Sequence, residues 1–163
     1  MNIVLIGMSG AGKSTLGVLL AKTLGMNYVD TDIVIQQSQG RLLQEIIDTD
    51  GIYRFIKIEE QAVTGLTLTN CVVATGGSVV YSDAAMRFLK ENGRVVYLHV
   101  PYEEIDKRLK NISDRGIVVK EGKSLRGVYD ERVPLYQKYC DVTVDCTNKD
   151  TEECVREILK SIG

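Results

Sequence analysis

Residues 5–15 read LIGMSGAGKST, and this stretch decides the fold. Its Gly-x-x-x-x-Gly-Lys-Ser pattern, which ends at Ser14, has the spacing of a loop that wraps around phosphate groups. The apolar run at 2–6 predicts a strand before the loop, and leucines at helical spacing predict a helix after it. The sequence therefore predicts a triphosphate site between a strand and a helix.

The loop provides several kinds of chemical group that can bind a triphosphate. Its glycines let backbone N–H groups converge on phosphate oxygens, and the N-terminus of the following helix adds its dipole. Lys13 brings a mobile positive charge to the β- and γ-phosphates, and Ser14 offers a hydroxyl to Mg²⁺. The predicted nucleotide-binding residues of the loop are Gly10, Ala11, Gly12, Lys13, Ser14 and Thr15.

Two other interpretations of the glycines are weaker. A glycine-rich turn without a ligand does not explain why a strand precedes the loop and a helix follows it. A dinucleotide site needs Gly-x-Gly-x-x-Gly, but Thr15 stands where the third glycine of that pattern belongs.

Short apolar runs alternate with helical patterns along the rest of the chain. The predicted strands are 2–6, 27–30, 71–75, 94–100 and 141–146. The predicted helices after the first are 31–48, broken at Gly40, then 52–68, 82–91, 102–110, 124–139 and 151–161. This alternation predicts an α/β fold in which a parallel sheet carries helices on both faces.

The composition excludes several classes of function. The 163 residues predict a single domain, and a net charge of −2 does not favour a nucleic-acid or anionic-membrane partner. No apolar run is long enough for a membrane span, and the N-terminus does not resemble a signal peptide. The four cysteines form no C-x-x-C pair, so we expect reduced thiols in a cytoplasmic protein.

Two carboxylates follow the second predicted strand. Asp30 ends that strand and Asp32 lies two residues on, at the sheet edge that the phosphate loop also occupies. One carboxylate can assist Mg²⁺ through water, and the other can orient or deprotonate an acceptor hydroxyl. Either residue can instead cap the helix that begins there, and the sequence leaves this alternative open.

Residues 111–124 form the one polar stretch without a clear period. A loop of this length in a compact domain is disordered or functional, and an active-site lid is one such function.

These features together resemble the shikimate kinases. The resemblance rests on the phosphate loop, Asp-Thr-Asp at 30–32, ATGGS at 74–78 and ERVPLYQKYCD at 131–141. It covers nearly the whole chain in order. It implies a nucleoside-monophosphate-kinase-like (P-loop) three-layer α/β/α sandwich with a five-stranded parallel sheet. It also implies ATP and Mg²⁺ as cofactors, a small-molecule acceptor and a monomer of one domain, 1–163, with a lid at about 111–124.

The resemblance also implies roles for single residues. Asp30 stands at the metal with Ser14, and Arg108 stacks on adenine. Lys13, Asp32 and Arg115 are the catalytic residues, Asp32 as the base and Arg115 as the lid arginine that closes on the transferring phosphate. The residues implied for the acceptor pocket are Asp32, Gly76, Gly77, Ser78 and Arg132.

Three positions depart from the family pattern. Ile56 stands where the family has an arginine for the acceptor's carboxylate, and Lys57 lies about 100° away around that helix, on a stem long enough to reach round. Ser78 replaces the third glycine of Gly-Gly-Gly, and Gly116 replaces the proline after the lid arginine. Each of these departures falls on the acceptor side or the lid.

The leading hypothesis is an ATP-dependent kinase that converts shikimate to shikimate 3-phosphate. Ile56 and Ser78 motivate a second, in which another polyol or hydroxy acid such as gluconate or homoserine is the acceptor. A third is a nucleotide-binding regulator that transfers no phosphate. The presence of Lys13, Asp32 and Arg115 counts against the third hypothesis.

Overall fold

A five-stranded parallel sheet organises the chain in a computed structural model that describes residues 1–110 and 123–163. The spatial order of the strands is β2-β3-β1-β4-β5. Their bounds are β1 Ile3–Ile6, β2 Asn27–Asp30, β3 Cys71–Ala74, β4 Arg94–His99 and β5 Val142–Asp145. The predicted five-stranded parallel sheet is confirmed.

Helices connect the strands. Their bounds are α1 Lys13–Leu24, α2 Thr31–Gln39, α3 Leu43–Asp50, α4 Ile52–Thr64, α5 Asp83–Asn92, α6 Tyr102–Lys110, α7 Leu125–Tyr139 and α8 Thr151–Ile162. A short 3₁₀ turn, Val79–Tyr81, precedes α5. The break predicted at Gly40 is present, because this residue ends α2 with a left-handed φ of 64°. The fourth helix is shorter than predicted and ends before Gly65.

The main core lies on both faces of the sheet. Every residue of β1 and β3 is buried, which explains why both strands are continuous apolar runs. β1 pairs with β3 on one side and β4 on the other, and Val4 lies opposite both Val73 and Val95. Because β1 is central, the loop that follows it opens at the middle of the sheet edge.

A second, smaller core joins α2, α3 and α4. Its buried members are Ile35, Ile46, Phe55 and Ile58. This cluster holds three helices together beside the phosphate loop, and one of them, α2, begins at the carboxylate pair. Ile56 is half-buried and is not among the side chains of this cluster in the described residues.

The predicted lid at about 111–124 lies largely outside the described residues, since only 123 and 124 belong to them. Within the described ranges, no helix has both the length and the apolar character that crossing a membrane requires.

Candidate active site

The phosphate loop joins β1 to α1, as predicted. Gly12 caps the first turn of α1 with a φ of 94°, a conformation that side chains rarely adopt. A Cβ on Gly7 would lie 2.8 Å from the carbonyl oxygen of Leu98. The loop therefore needs glycine at both positions, and it presents backbone N–H groups at the N-terminus of a 12-residue helix.

Lys13 is held inside this loop. Its Nζ donates to the carbonyl oxygens of Gly7 at 2.7 Å and Met8 at 2.8 Å, and the residue is only 7% exposed. The Lys13 ammonium group thus lies against the start of the loop, and the residue lines the cavity described below.

Ser14 and Asp30 meet across the loop. The Ser14 hydroxyl donates to Asp30 Oδ2 at 2.8 Å, and Asp30 Oδ1 accepts from the backbone N–H of Asp32 at 3.0 Å. Asp30 is therefore the N-cap of α2, the alternative that the sequence left open, and it is also the hydrogen-bond partner of Ser14. Burial, together with the nearby Asp30 carboxylate, raises the pKa of Tyr28 to about 12, and its hydroxyl donates to Asp30 Oδ2 at 3.3 Å.

A cavity of about 340 Å³ opens in front of the loop. Lys13 and Ser14 line it on the α1 side, Asp32 lines it on the α2 side, and Gly76 and Gly77 line it on the side that follows β3. The structure thus brings some of the predicted donor-side and acceptor-side residues to one cavity, which Ser78 and Arg132 do not line.

The wall of this cavity at Gly76 and Gly77 has no room for side chains. A Cβ on Gly76 would lie 2.8 Å from both Asp32 Oδ1 and Glu59 Oε2. A Cβ on Gly77 would lie 2.8 Å from an Nη of Arg132. Charged side chains therefore lie close to the backbone of this wall, Asp32 and Glu59 at Gly76 and Arg132 at Gly77.

Arg132 lies fully buried behind Gly77. Its Nε donates to the Tyr81 hydroxyl at 3.3 Å, and its Cζ lies 5.3 Å from the centre of the Tyr81 ring. The Tyr136 hydroxyl donates to the carbonyl oxygen of Gly77 at 2.6 Å. Burial raises the pKa of Tyr136, while the charge of Arg132 opposes that shift. A buried guanidinium within reach of the cavity wall is suited to an anionic ligand.

Ser78 turns away from the cavity. It is buried, and its hydroxyl donates to Glu59 Oε1 at 2.7 Å. Burial is the main reason that the pKa of Glu59 rises to about 7. Lys57 is exposed, with its Nζ 3.5 Å from Glu60, so the structure does not place it where the missing arginine would act.

Arg108 lies beside the phosphate loop. One of its Nη atoms donates to the carbonyl oxygen of Gly10 at 2.9 Å, and the other pairs with Glu104 at 2.5 Å. Arg115 lies outside the described residues.

Among the described residues, those that sequence reasoning missed behind the cavity wall include Glu59, Tyr81 and Tyr136. Glu59 had a usable signal, because it lies four residues after Phe55 and four before Val63 on the buried stripe of α4. A carboxylate on such a buried stripe is unusual unless it has a structural or functional role. Tyr136 lies within the stretch 131–141 that carries the resemblance, whereas Tyr81 had no comparable signal.

Lys13 and Asp32 therefore line one cavity, and Arg132 lies behind its wall at Gly77. Backbone N–H groups and a buried lysine are suited to the donor phosphates, whereas a separate carboxylate and a buried guanidinium are suited to a small anionic acceptor. The fold and this site define an ATP-dependent small-molecule kinase.

Comparison with known proteins narrows that class. The family model described as shikimate kinase matches residues 9–163. A shikimate kinase of Caldanaerobacter subterraneus is 35% identical over 163 residues, which cover 98% of this chain and 95% of the relative. The solved shikimate kinase of Acinetobacter baumannii, in complex with shikimate, has a TM-score of 0.91 and 32% identity over 99% of this chain and 92% of that one. The chain belongs to the shikimate kinase family.

The alternative acceptors are not favoured by these comparisons. A gluconokinase of Sinorhizobium meliloti matches with a TM-score of 0.59 and 19% identity, a likeness that shows a shared fold alone. The prediction of an ATP-dependent kinase related to the shikimate kinases is confirmed.

Proposed function

We propose that this enzyme transfers the γ-phosphoryl group of ATP to a hydroxyl of shikimate and so forms shikimate 3-phosphate. One observation carries the proposal: Lys13, Asp32 and the Gly76–Gly77 wall surround a single cavity, and Arg132 is buried directly behind that wall. Membership of the shikimate kinase family supports the same acceptor.

The donor phosphates bind at the loop in this proposal. Backbone N–H groups from Gly10 to Thr15 surround the phosphates at the N-terminus of α1, and Lys13 neutralises charge that develops on the transferred group. Arg108 supports this side by its hydrogen bond to the carbonyl oxygen of Gly10 and stacks on the adenine. Arg115 supplies a second positive charge to the transferred phosphoryl group, a role that rests on the sequence resemblance alone.

Ser14 and Asp30 are the residues that would hold Mg²⁺. Their oxygens are 2.8 Å apart, and hard cations prefer oxygen ligands. Among the residues described, no three His, Cys, Asp or Glu side chains cluster in a way that could hold a metal ion. Mg²⁺ binds through one or two protein groups, waters and substrate phosphates. Bound there, the ion would neutralise charge on the β- and γ-phosphates.

Asp32 and Arg132 serve the acceptor. Asp32 lines the cavity opposite Lys13, and its carboxylate takes the proton of the attacking hydroxyl. The hydroxyl oxygen then forms the new bond to the γ-phosphorus as the bond to the bridging oxygen of ADP breaks. Arg132 orients shikimate through its carboxylate, since a guanidinium pairs with a carboxylate through two parallel hydrogen bonds.

We also propose a monomeric enzyme of one domain, 1–163, in the cytoplasm. The family match runs from residue 9 to 163, which supports a single domain. Cys71, Cys140, Cys146 and Cys154 are free thiols, which supports a reducing compartment.

The test of this function is product formation. We expect the enzyme with ATP, Mg²⁺ and shikimate to release ADP and one equivalent of a phosphate monoester, which phosphorus NMR detects. Asp32→Asn should reduce kcat by roughly a hundredfold or more, because the proton acceptor is lost. ADP release that gives inorganic phosphate at the same rate with and without shikimate would contradict the proposal.

A further inference from the structure

Glu59 is a buried carboxylate that no step above uses. It lies on α4, is 1% exposed and faces the back of the acceptor cavity at Gly76. Its Oε2 and Asp32 Oδ1 would each lie 2.8 Å from a Cβ on Gly76. Two carboxylates, one from α4 and one from α2, therefore converge on the same stretch of cavity wall.

The two oxygens of Glu59 differ in their surroundings. Oε1 accepts a hydrogen bond from Ser78 at 2.7 Å. Oε2 is buried and has no hydrogen-bond partner among residues 1–110 and 123–163. A buried carboxylate with one satisfied oxygen is costly when ionised, because it loses water and gains only one donor.

The charges that face Glu59 do not compensate for this burial. Asp32 on α2 disfavours ionisation, whereas Arg132 on α7, Lys13 on α1 and the Ser78 hydroxyl favour it. Burial outweighs these effects and raises the pKa of Glu59 to about 7. On α4 itself Ile56 stands where the family has an arginine, and Lys57 is exposed and pairs with Glu60 instead.

We propose that Glu59, held by Ser78, is a positioning residue that makes acceptor recognition depend on its own protonation. Neutral Glu59 permits the acceptor's carboxylate beside Arg132, and ionised Glu59 repels it through the wall at Gly76. The inference rests on the proposed function, because the acceptor it concerns is an anion.

The sign of the effect follows from linkage. An anionic acceptor binds better to the neutral form, so the KM for shikimate rises as pH increases through the region near pH 7. By reciprocity, binding of shikimate raises the pKa of Glu59 and takes up protons from solution. Ser78 donates to the ionised form, and its loss therefore moves the rise in KM to higher pH.

The test measures the KM for shikimate between pH 6 and 9 in four proteins. We expect roughly a tenfold rise in the wild type, a much flatter profile in Glu59→Gln and a profile displaced to higher pH in Ser78→Ala. Glu60→Gln is the matched control, because Glu60 also lies on α4 and accepts a hydrogen bond from a serine, Ser82, at 2.5 Å. Its profile should follow that of the wild type.

Calorimetry in buffers of different ionisation enthalpy gives a second readout. Shikimate binding near pH 7.5 should take up protons in the wild type and not in Glu59→Gln. If Glu59→Gln does not fold, the displaced profile of Ser78→Ala tests the same carboxylate. A KM that is independent of pH in the wild type, or the same profile in wild type and Ser78→Ala, overturns the inference. Absence of shikimate turnover at every pH instead contradicts the proposed function.

Discussion

The hydroxyl of Ser14 lies 2.8 Å from Asp30 Oδ2, and the other oxygen of Asp30 caps α2. One carboxylate thus ties the first turn of α1 to the start of α2. The two roles can be separated, because asparagine also caps helices well but has no negative charge.

Asp30→Asn should weaken Mg²⁺ binding and leave the fold nearly intact. We expect the Mg²⁺ concentration for half-maximal activity to rise about tenfold or more, since a hard cation loses a charged oxygen partner. The free energy of unfolding should change by less than about 1 kcal/mol, because the cap is retained. An unchanged Mg²⁺ dependence would show that Asp30 serves α2 alone.

Ile56→Arg should strengthen binding of shikimate. A charge-assisted hydrogen bond contributes about 1.5–3 kcal/mol, so we expect the KM to fall roughly ten- to a hundredfold. Lys57→Met is the control, since Lys57 is exposed and pairs with Glu60. If Ile56→Arg leaves the KM unchanged while the protein stays folded, position 56 does not face the acceptor in this chain.

Gly77→Ala should disturb Arg132. The new Cβ would lie 2.8 Å from an Nη of Arg132 and 3.0 Å from the Ser9 hydroxyl oxygen, so at least one of them must move. We expect kcat/KM for shikimate to fall about tenfold or more, with most of the effect in KM. Gly127→Ala is the control, because a Cβ there meets only Ser124 Oγ at 3.4 Å. That variant should keep its kinetics, and a fall like that of Gly77→Ala would contradict the assignment.

Glu59→Gln should change how stability depends on pH. The folded-state pKa of Glu59 is about 7, above its ordinary value of 4.5, so the folded protein holds a proton that the unfolded chain loses. The contribution of Glu59 to the free energy of unfolding is therefore fully present below pH 4.5 and is lost as pH rises through 7. The wild type should lose about 3 kcal/mol relative to Glu59→Gln over this interval. Urea unfolding of both proteins at pH 5 and pH 8 measures the difference, and parallel behaviour would contradict the burial of an ionisable group.

The fold could be predicted from the sequence because its signals are local. Continuous apolar runs mark β1 and β3, which are buried on both faces, and glycine marks the end of α2. The spatial order of the strands could not be predicted from alternation alone, because it depends on which face each crossover helix takes.

The site was predictable where chemistry and sequence spacing coincide. Lys13, Ser14 and Asp30 lie within short motifs, and the structure brings them together. The direction in which the Ser78 side chain points could not be predicted, because its hydrogen-bond partner Glu59 lies 19 residues away on another element. Glu59 was overlooked because helical periodicity usually places charged residues on the exposed face.

The central claim is that shikimate is the phosphate acceptor, and an acceptor panel tests it most directly. ADP release is measured with saturating ATP and Mg²⁺ and with varied shikimate, gluconate or homoserine, each against a control without acceptor. We predict that kcat/KM for shikimate exceeds that for either other compound by about a hundredfold or more, because Arg132 and Asp32 fit an acceptor that bears both a carboxylate and hydroxyls. A higher kcat/KM for gluconate or homoserine, or no acceptor-dependent release with shikimate, would contradict the account.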